Sequence, residues 1–443
     1  MKTVRIGAGA GYSGDRIDPA VELAEKGDIS YLVFECLAER TIAIAQKARL
    51  LDPSAGYDPL LEERLRAVLP ICAQKKIRII SNMGAANPQA AAEKTRDIAR
   101  QVGLSGLRIA AVTGDDVLEL LRDGHRIVEA LEGPFPSPET WLSANAYLGV
   151  APLLEALASN ADIILTGRVA DPALFLAPLI HEFGWSLDHW NLLGKGTVIG
   201  HLLECAGQLT GGYFADPGLK HVPNLDRLGF PIAEVSADGS AILTKVEGSG
   251  GILSCATCTE QLLYEIQDPF TYYTPDVIAD FSGVSFQELG PDRVSVSGGA
   301  GRTRPSTLKT SIGYRDGFIG EGQISYAGVN ALARAELARD ILAKRLARHS
   351  ISELHFDFLG IDSIHGPRLS RNAPTPYEIR LRAAGRAGSL SAAFWIPREV
   401  EALYTNGPAG GGGAFGSTRE VIAIASALIP RESVSHHVQI LES

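Results

Sequence analysis

His201, Glu204, Cys205 and Gln208 stand at spacings i, i+3, i+4 and i+7, so on a helix they share one face. An imidazole beside a carboxylate can pass a proton, which makes His201 and Glu204 candidate catalytic acid–base groups. The same face can also supply part of a metal site. The plainer alternative is a buried helix whose polar groups satisfy one another, with Cys205 a small core residue. Thr210 and Gly211 follow directly. A residue without a Cβ lets backbone approach a ligand, so both are candidate substrate-binding positions.

Three further groups fall at the ends of apolar runs. Arg168, in Thr166-Gly167-Arg168-Val169-Ala170-Asp171-Pro172, can clamp a carboxylate or phosphate through its planar fork, or form a structural ion pair. Asp171-Pro172 reads as the N-cap and first residue of the next helix. Glu35 follows Tyr31-Leu32-Val33-Phe34; partly desolvated, it would serve as a base, and otherwise it holds the adjacent loop. Asn82, before Gly84, can orient a carbonyl or set a turn.

Gly9-x-Gly11-x-x-Gly14 follows a candidate strand and matches the dinucleotide fingerprint, with Glu35 where a ribose-binding acid belongs. This supports an NAD(P)- or FAD-dependent oxidoreductase as one alternative. Against it, the helix signal begins only at Asp18-Pro19, and Asp15 and Asp18 place negative charge near the supposed pyrophosphate. The turn then reads as one wall of a sheet-end site, with Gly9, Gly11, Tyr12, Ser13 and Asp15 as substrate contacts. Cys255 and Cys258 form a C-x-x-C without a second pair, so they read as helix-turn cysteines and no metal is expected. The run Gly410-Gly411-Gly412-Gly413 precedes a helix signal at Ser417-Thr418 and is either an anion-binding nest or a surface loop.

The elements that must hold these groups alternate. Short apolar runs at 4–6, 31–34, 77–80, 108–112 and 161–165 are separated by helical patterns, which implies right-handed crossovers and a parallel sheet. Ligands of such sheets bind beyond the carboxyl ends of the strands. Helical patterns at 172–183 and 190–209 follow. From about 230 the texture changes to turn-rich strands with one strong helix at 329–347. The expected architecture is α/β: a parallel-sheet, Rossmann-like domain over 1–222 and a mixed α+β domain over 223–443.

The chain has 443 residues, 45% of them hydrophobic and 21% charged, with a formal net charge of −10. That suits a globular protein and argues against nucleic-acid or anionic-membrane partners. No apolar stretch of about 18 residues is present, and no leader is read, so a cytoplasmic location is expected. Five scattered cysteines fit reduced thiols. The apolar segments suggest a homo-oligomer.

Several longer strings occur together: Gly7-Ala8-Gly9-Ala10-Gly11-Tyr12-Ser13-Gly14-Asp15-Arg16, Ser81-Asn82-Met83-Gly84, Thr166 to Pro172, His201-Leu202-Leu203-Glu204-Cys205, Thr210-Gly211-Gly212-Tyr213-Phe214-Ala215-Asp216-Pro217 and Ala279-Asp280-Phe281-Ser282-Gly283-Val284. Across nearly the whole chain this resembles the acyclic terpene utilisation (AtuA-like) family. The resemblance implies a place in the breakdown of citronellol- and geraniol-type compounds through branched acyl-CoA intermediates. It carries over no catalytic roles and no cofactor. Longer members carry an extra C-terminal ferredoxin-like domain, which this chain is expected to lack. The reading is therefore a catabolic enzyme of lyase or hydratase type acting on a carboxylate or branched acyl-CoA. A noncatalytic subunit of a degradative complex is the further alternative.

Overall fold

A computed structural model describes residues 2–122, 127–131, 135–370 and 374–443. The chain forms two compact units: residues 1–313 with 424–443, and residues 314–423.

The first unit is built on a ten-stranded sheet. Its centre is five parallel strands in the order Thr3–Ala10, Tyr31–Phe34, Arg78–Ser81, Ile163–Thr166 and Arg108–Thr113. Tyr31–Phe34 and Ile163–Thr166 are buried at every position, as strands covered on both faces must be. Register brings apolar partners together: Ile6 opposite Tyr31, Leu32 opposite Ile79, Ile80 opposite Ile164. Helices cover the strands, and their starts carry local signals. Asn87 caps Pro88–Gln101 by accepting from the Ala90 amide, with Pro88 first in the helix. Ser254 and Thr257 form a capping box at Cys255–Leu263, which places both cysteines of the C-x-x-C in its first turn.

The Rossmann-like winding expected from the alternating pattern is not what the strand order shows. Thr3–Ala10 has a parallel neighbour on one side only. On the other lie four antiparallel strands, Pro231–Ser236, Ala241–Lys245, Arg293–Ser297 and Ser285–Gly290, and His437–Glu442 closes the opposite edge antiparallel to Arg108–Thr113. Strands on both sides of residue 222 thus share one sheet and one apolar core. The change of texture there marks the passage from parallel to antiparallel pairing, whereas the compact units divide at Gly313 and Ala423.

The second unit runs strand, helix Ala331–Leu346, strand Ile351–Leu359, strand Glu378–Ala387, helix Trp395–Asn406, strand. Its first and last strands in sequence are the later part of Thr307–Ala327 and the earlier part of Gly412–Pro430, and the order in the sheet is Ile351–Leu359, Glu378–Ala387, Thr307–Ala327, Gly412–Pro430. This βαββαβ order is ferredoxin-like. A ferredoxin-like unit is therefore present, set within the chain. It has its own core, in which Ile324, Leu342, Ile379, Leu381, Ile396 and Val400 meet. Ser417 and Thr418 lie in a strand, where the sequence pattern suggested a helix start. No helix among the described residues is long and apolar enough to cross a membrane.

Candidate functional site

Beyond the carboxyl ends of Tyr31–Phe34 and Ile163–Thr166 the first unit holds a cavity of about 560 Å³, within the range of small-molecule sites. Its wall is mostly apolar, with Leu131, Leu308, Leu428 and three prolines, 172, 275 and 305. Into it converge Glu39, Tyr147, Asp171, His201, Glu204, Tyr272 and Lys309.

His201 and Glu204 come from the last turn of the helix Trp190–Glu204, which ends there and does not run on to 209. Gly200 lets this helix touch the start of the preceding helix, Ala173–Phe183: a Cβ there would sit 2.7 Å from the Pro172 carbonyl oxygen. His201 Nδ1 lies 2.9 Å from Glu204 Oε1, and His201 Nε2 lies 3.2 Å from the Leu262 carbonyl oxygen. The ring packs against Tyr272 and Phe281, with centroids 5.6 and 5.4 Å away. A carbonyl cannot donate, so Nε2 carries a proton and Nδ1 is left to share one with Glu204. Glu204 Oε2 is buried and has no hydrogen-bond partner. Burial pushes the Glu204 carboxyl up, to about 7, against the pull of His201. Burial alone would depress the imidazole, but the Glu204 carboxylate outweighs it and holds His201 above its ordinary value.

A second wall is made by residues far apart in the chain. Tyr147 Oη donates to Glu39 Oε1 at 2.6 Å, and Lys309 Nζ lies 3.1 Å from the same oxygen, 5.1 Å above the Tyr147 ring centre. Burial opposes ionisation of Glu39, yet the hydroxyl and the ammonium prevail and hold its carboxyl down at about 2.

Arg168 lies behind this wall, buried, with Tyr147 stacked on its guanidinium at 4.6 Å. It donates to the Leu37 and Val169 carbonyls and to Asp171 Oδ1. The fork that the sequence offers to a ligand anion is thus engaged by protein oxygens. Asp171 is not the N-cap expected of it: the helix begins at Ala173, Pro172 precedes it, and no side chain caps it. Its carboxylate instead faces Arg168 and the cavity, and burial, working against Arg168, raises its pKa.

The other sequence candidates lie outside this wall. Glu35 accepts from the Leu37 amide at 2.8 Å and from Asn82 Nδ2 at 2.9 Å, while Asn82 Oδ1 accepts from the Cys36 amide at 2.7 Å. These two side chains lash neighbouring strand ends together. Burial first, then the nearby Asp171, push Glu35 well above the usual carboxylate range. Thr210 donates to the Gly207 and Gly229 carbonyls, and a Cβ on Gly211 would meet Val222.

The glycine turn is held from beneath. Arg64 Nη2 donates to the carbonyls of Tyr12, Ser13 and Asp15, and the Gly11 amide donates to Asp15 Oδ2 at 2.9 Å. A Cβ on Gly11 would fall 2.5 Å from the Cys205 carbonyl carbon, and one on Gly9 would meet the Phe34 ring. Both glycines sit where the strand packs against its neighbours. The Gly11 N–H that a pyrophosphate would need is already bonded to Asp15.

A family model described as the acyclic terpene utilisation family protein AtuA matches residues 4–440. The chain belongs to the AtuA family. Membership suggests a role in acyclic terpene utilisation. No match is found among curated proteins or among solved structures. Among the described residues no three His, Cys, Asp or Glu side chains are grouped to hold a metal ion. In this AtuA chain Glu39, Tyr147, Tyr272 and Lys309 join the site from positions no sequence motif singled out. The spacing within the helical pattern read at 190–209 pointed to His201 and Glu204.

Proposed function

We propose that this AtuA-family chain is an acid–base enzyme that adds water to, or removes it from, a branched acyl substrate, carried as a CoA thioester, with Glu204 as the group that exchanges the proton. The observation that carries the reading is the pairing of His201 Nδ1 with Glu204 Oε1 at 2.9 Å in the cavity wall, with Glu204 Oε2 unpartnered. A carboxyl near neutrality is matched to acid–base work at physiological pH. Both nitrogens of His201 are engaged, so it acts as a positioning residue that sets the proton content of Glu204. In hydration, Glu204 takes a proton from the water whose oxygen bonds to one alkene carbon as the π bond breaks, and the carboxyl so protonated delivers that proton to the neighbouring carbon; dehydration is the reverse. The apolar wall suits the branched chain that acyclic terpene utilisation supplies.

The test is incubation with branched unsaturated and hydroxylated acyl-CoA thioesters, followed by mass for gain or loss of water. Turnover that falls at least about a hundredfold in Glu204→Gln supports the reading. Turnover unaffected by Glu204→Gln, or no reaction with any thioester, rejects it.

A further inference from the structure

The cavity presents its charges in pairs. Glu39 has Lys309 at 3.1 Å, Glu204 has His201 at 2.9 Å, and Asp171 has Arg168. Among the described residues the basic side chains that line the cavity, Lys309 and His201, are thus each matched to a carboxylate of the wall. Arg168 is also buried and bonded to two backbone carbonyls, so it has no approach for a ligand anion. Two more carboxylates, Glu129 and Glu265, line the same cavity and are exposed. Counted over the lining residues there are five carboxylates against Lys309 and His201. Even with Arg168 and Arg431 behind the wall, the latter donating to the Pro275 and Pro305 carbonyls, negative charge is in excess. Inside a partly apolar cleft such an excess is screened less than in water and repels a second anion.

We propose that the cavity selects an uncharged ligand head, an ester, thioester or alcohol on a branched apolar chain, and discriminates against the free carboxylate of the same skeleton. This deepens the proposed function and rests on the same cavity. Lys309 then serves to neutralise Glu39 and fix it against Tyr147, and a substrate carboxylate would have to share the ammonium with Glu39. A thioester meets no such obstacle, because it brings no charge for the carboxylates of the wall to repel.

Calorimetry with two probes of one skeleton, methyl citronellate and citronellate, tests this at pH 8, where the acid is ionised. The ester is expected to bind at least about tenfold more tightly than the carboxylate. In Glu129→Gln/Glu265→Gln, which removes two exposed charges, the carboxylate gains affinity and the gap narrows. A carboxylate that binds as tightly as the ester, or a gap unchanged in the double variant, overturns the inference and leaves the acid–base reading standing. If neither probe binds, both fall.

Discussion

His201 Nδ1 and Glu204 Oε1 lie 2.9 Å apart, both buried, while His201 Nε2 is turned to a backbone carbonyl. One proton therefore belongs to the pair more than to either residue.

The pair predicts a direction for stability with pH. Glu204 is raised from 4.5 to about 7 and His201 is raised above 6.5. Both shifts mean that the folded state binds more protons than the unfolded chain from about pH 5 upward, so both contributions to stability decline as pH rises through neutrality. Denaturant midpoints measured from pH 5 to 9 are expected to fall more steeply for the wild type than for His201→Gln/Glu204→Gln. Parallel curves would show that the pair does not titrate in this range.

Arg168 holds Asp171, two backbone carbonyls and the face of Tyr147 at once. Arg168→Met leaves Asp171 uncompensated and is expected to cost about 3–5 kcal/mol in chemical denaturation. Arg168→Lys is expected to recover little of it, because an ammonium cannot reproduce the fork. A loss under about 1 kcal/mol in Arg168→Met would refute this role.

Gly11 is a packing position. Gly11→Ala would drive a methyl into the Cys205 backbone, which has no rotamer to relieve the contact, and is expected to cost about 1–3 kcal/mol. Since the Gly11 amide is bonded to Asp15, NAD, NADP and FAD are expected to give no heat of binding at millimolar concentration. Binding of any of them that Gly11→Ala abolishes would restore the oxidoreductase alternative.

What the sequence made legible follows from the range of each interaction. Tyr31–Phe34 and the spacing of His201 and Glu204 are local patterns, and both are present, although the helix ends at Glu204 and leaves Cys205 and Gln208 beyond it. Glu39, Tyr147 and Lys309 meet only through tertiary packing, across as many as 270 residues, and no spacing rule connects them. Asp171 before a proline carries a capping signal, but the pull of buried Arg168 decides where its carboxylate goes. The glycine turn is ambiguous in sequence because close packing and phosphate binding ask for the same residue. The antiparallel flank of the sheet was hidden because an apolar strand has the same composition in either pairing.

Tyr147 and Lys309 together make Glu39 a strong acid. Its pKa, held at about 2 against an ordinary 4.5, contributes stability that is present above pH 4.5 and lost as pH falls through 2. Tyr147→Phe removes the shorter of its hydrogen bonds. The destabilisation it causes at pH 7 is expected to shrink as pH falls towards 2, read from denaturant midpoints. A penalty independent of pH would mean that the tyrosine contributes by packing alone.

The central claim is that Glu204 exchanges a proton with a bound acyl substrate. Incubation of a branched unsaturated acyl-CoA thioester in deuterium oxide, followed by mass analysis of the recovered acyl group, measures that exchange. Deuterium on carbon is expected with the wild type, and a rate at least about a hundredfold lower with Glu204→Gln. Equal incorporation by the two proteins would contradict it.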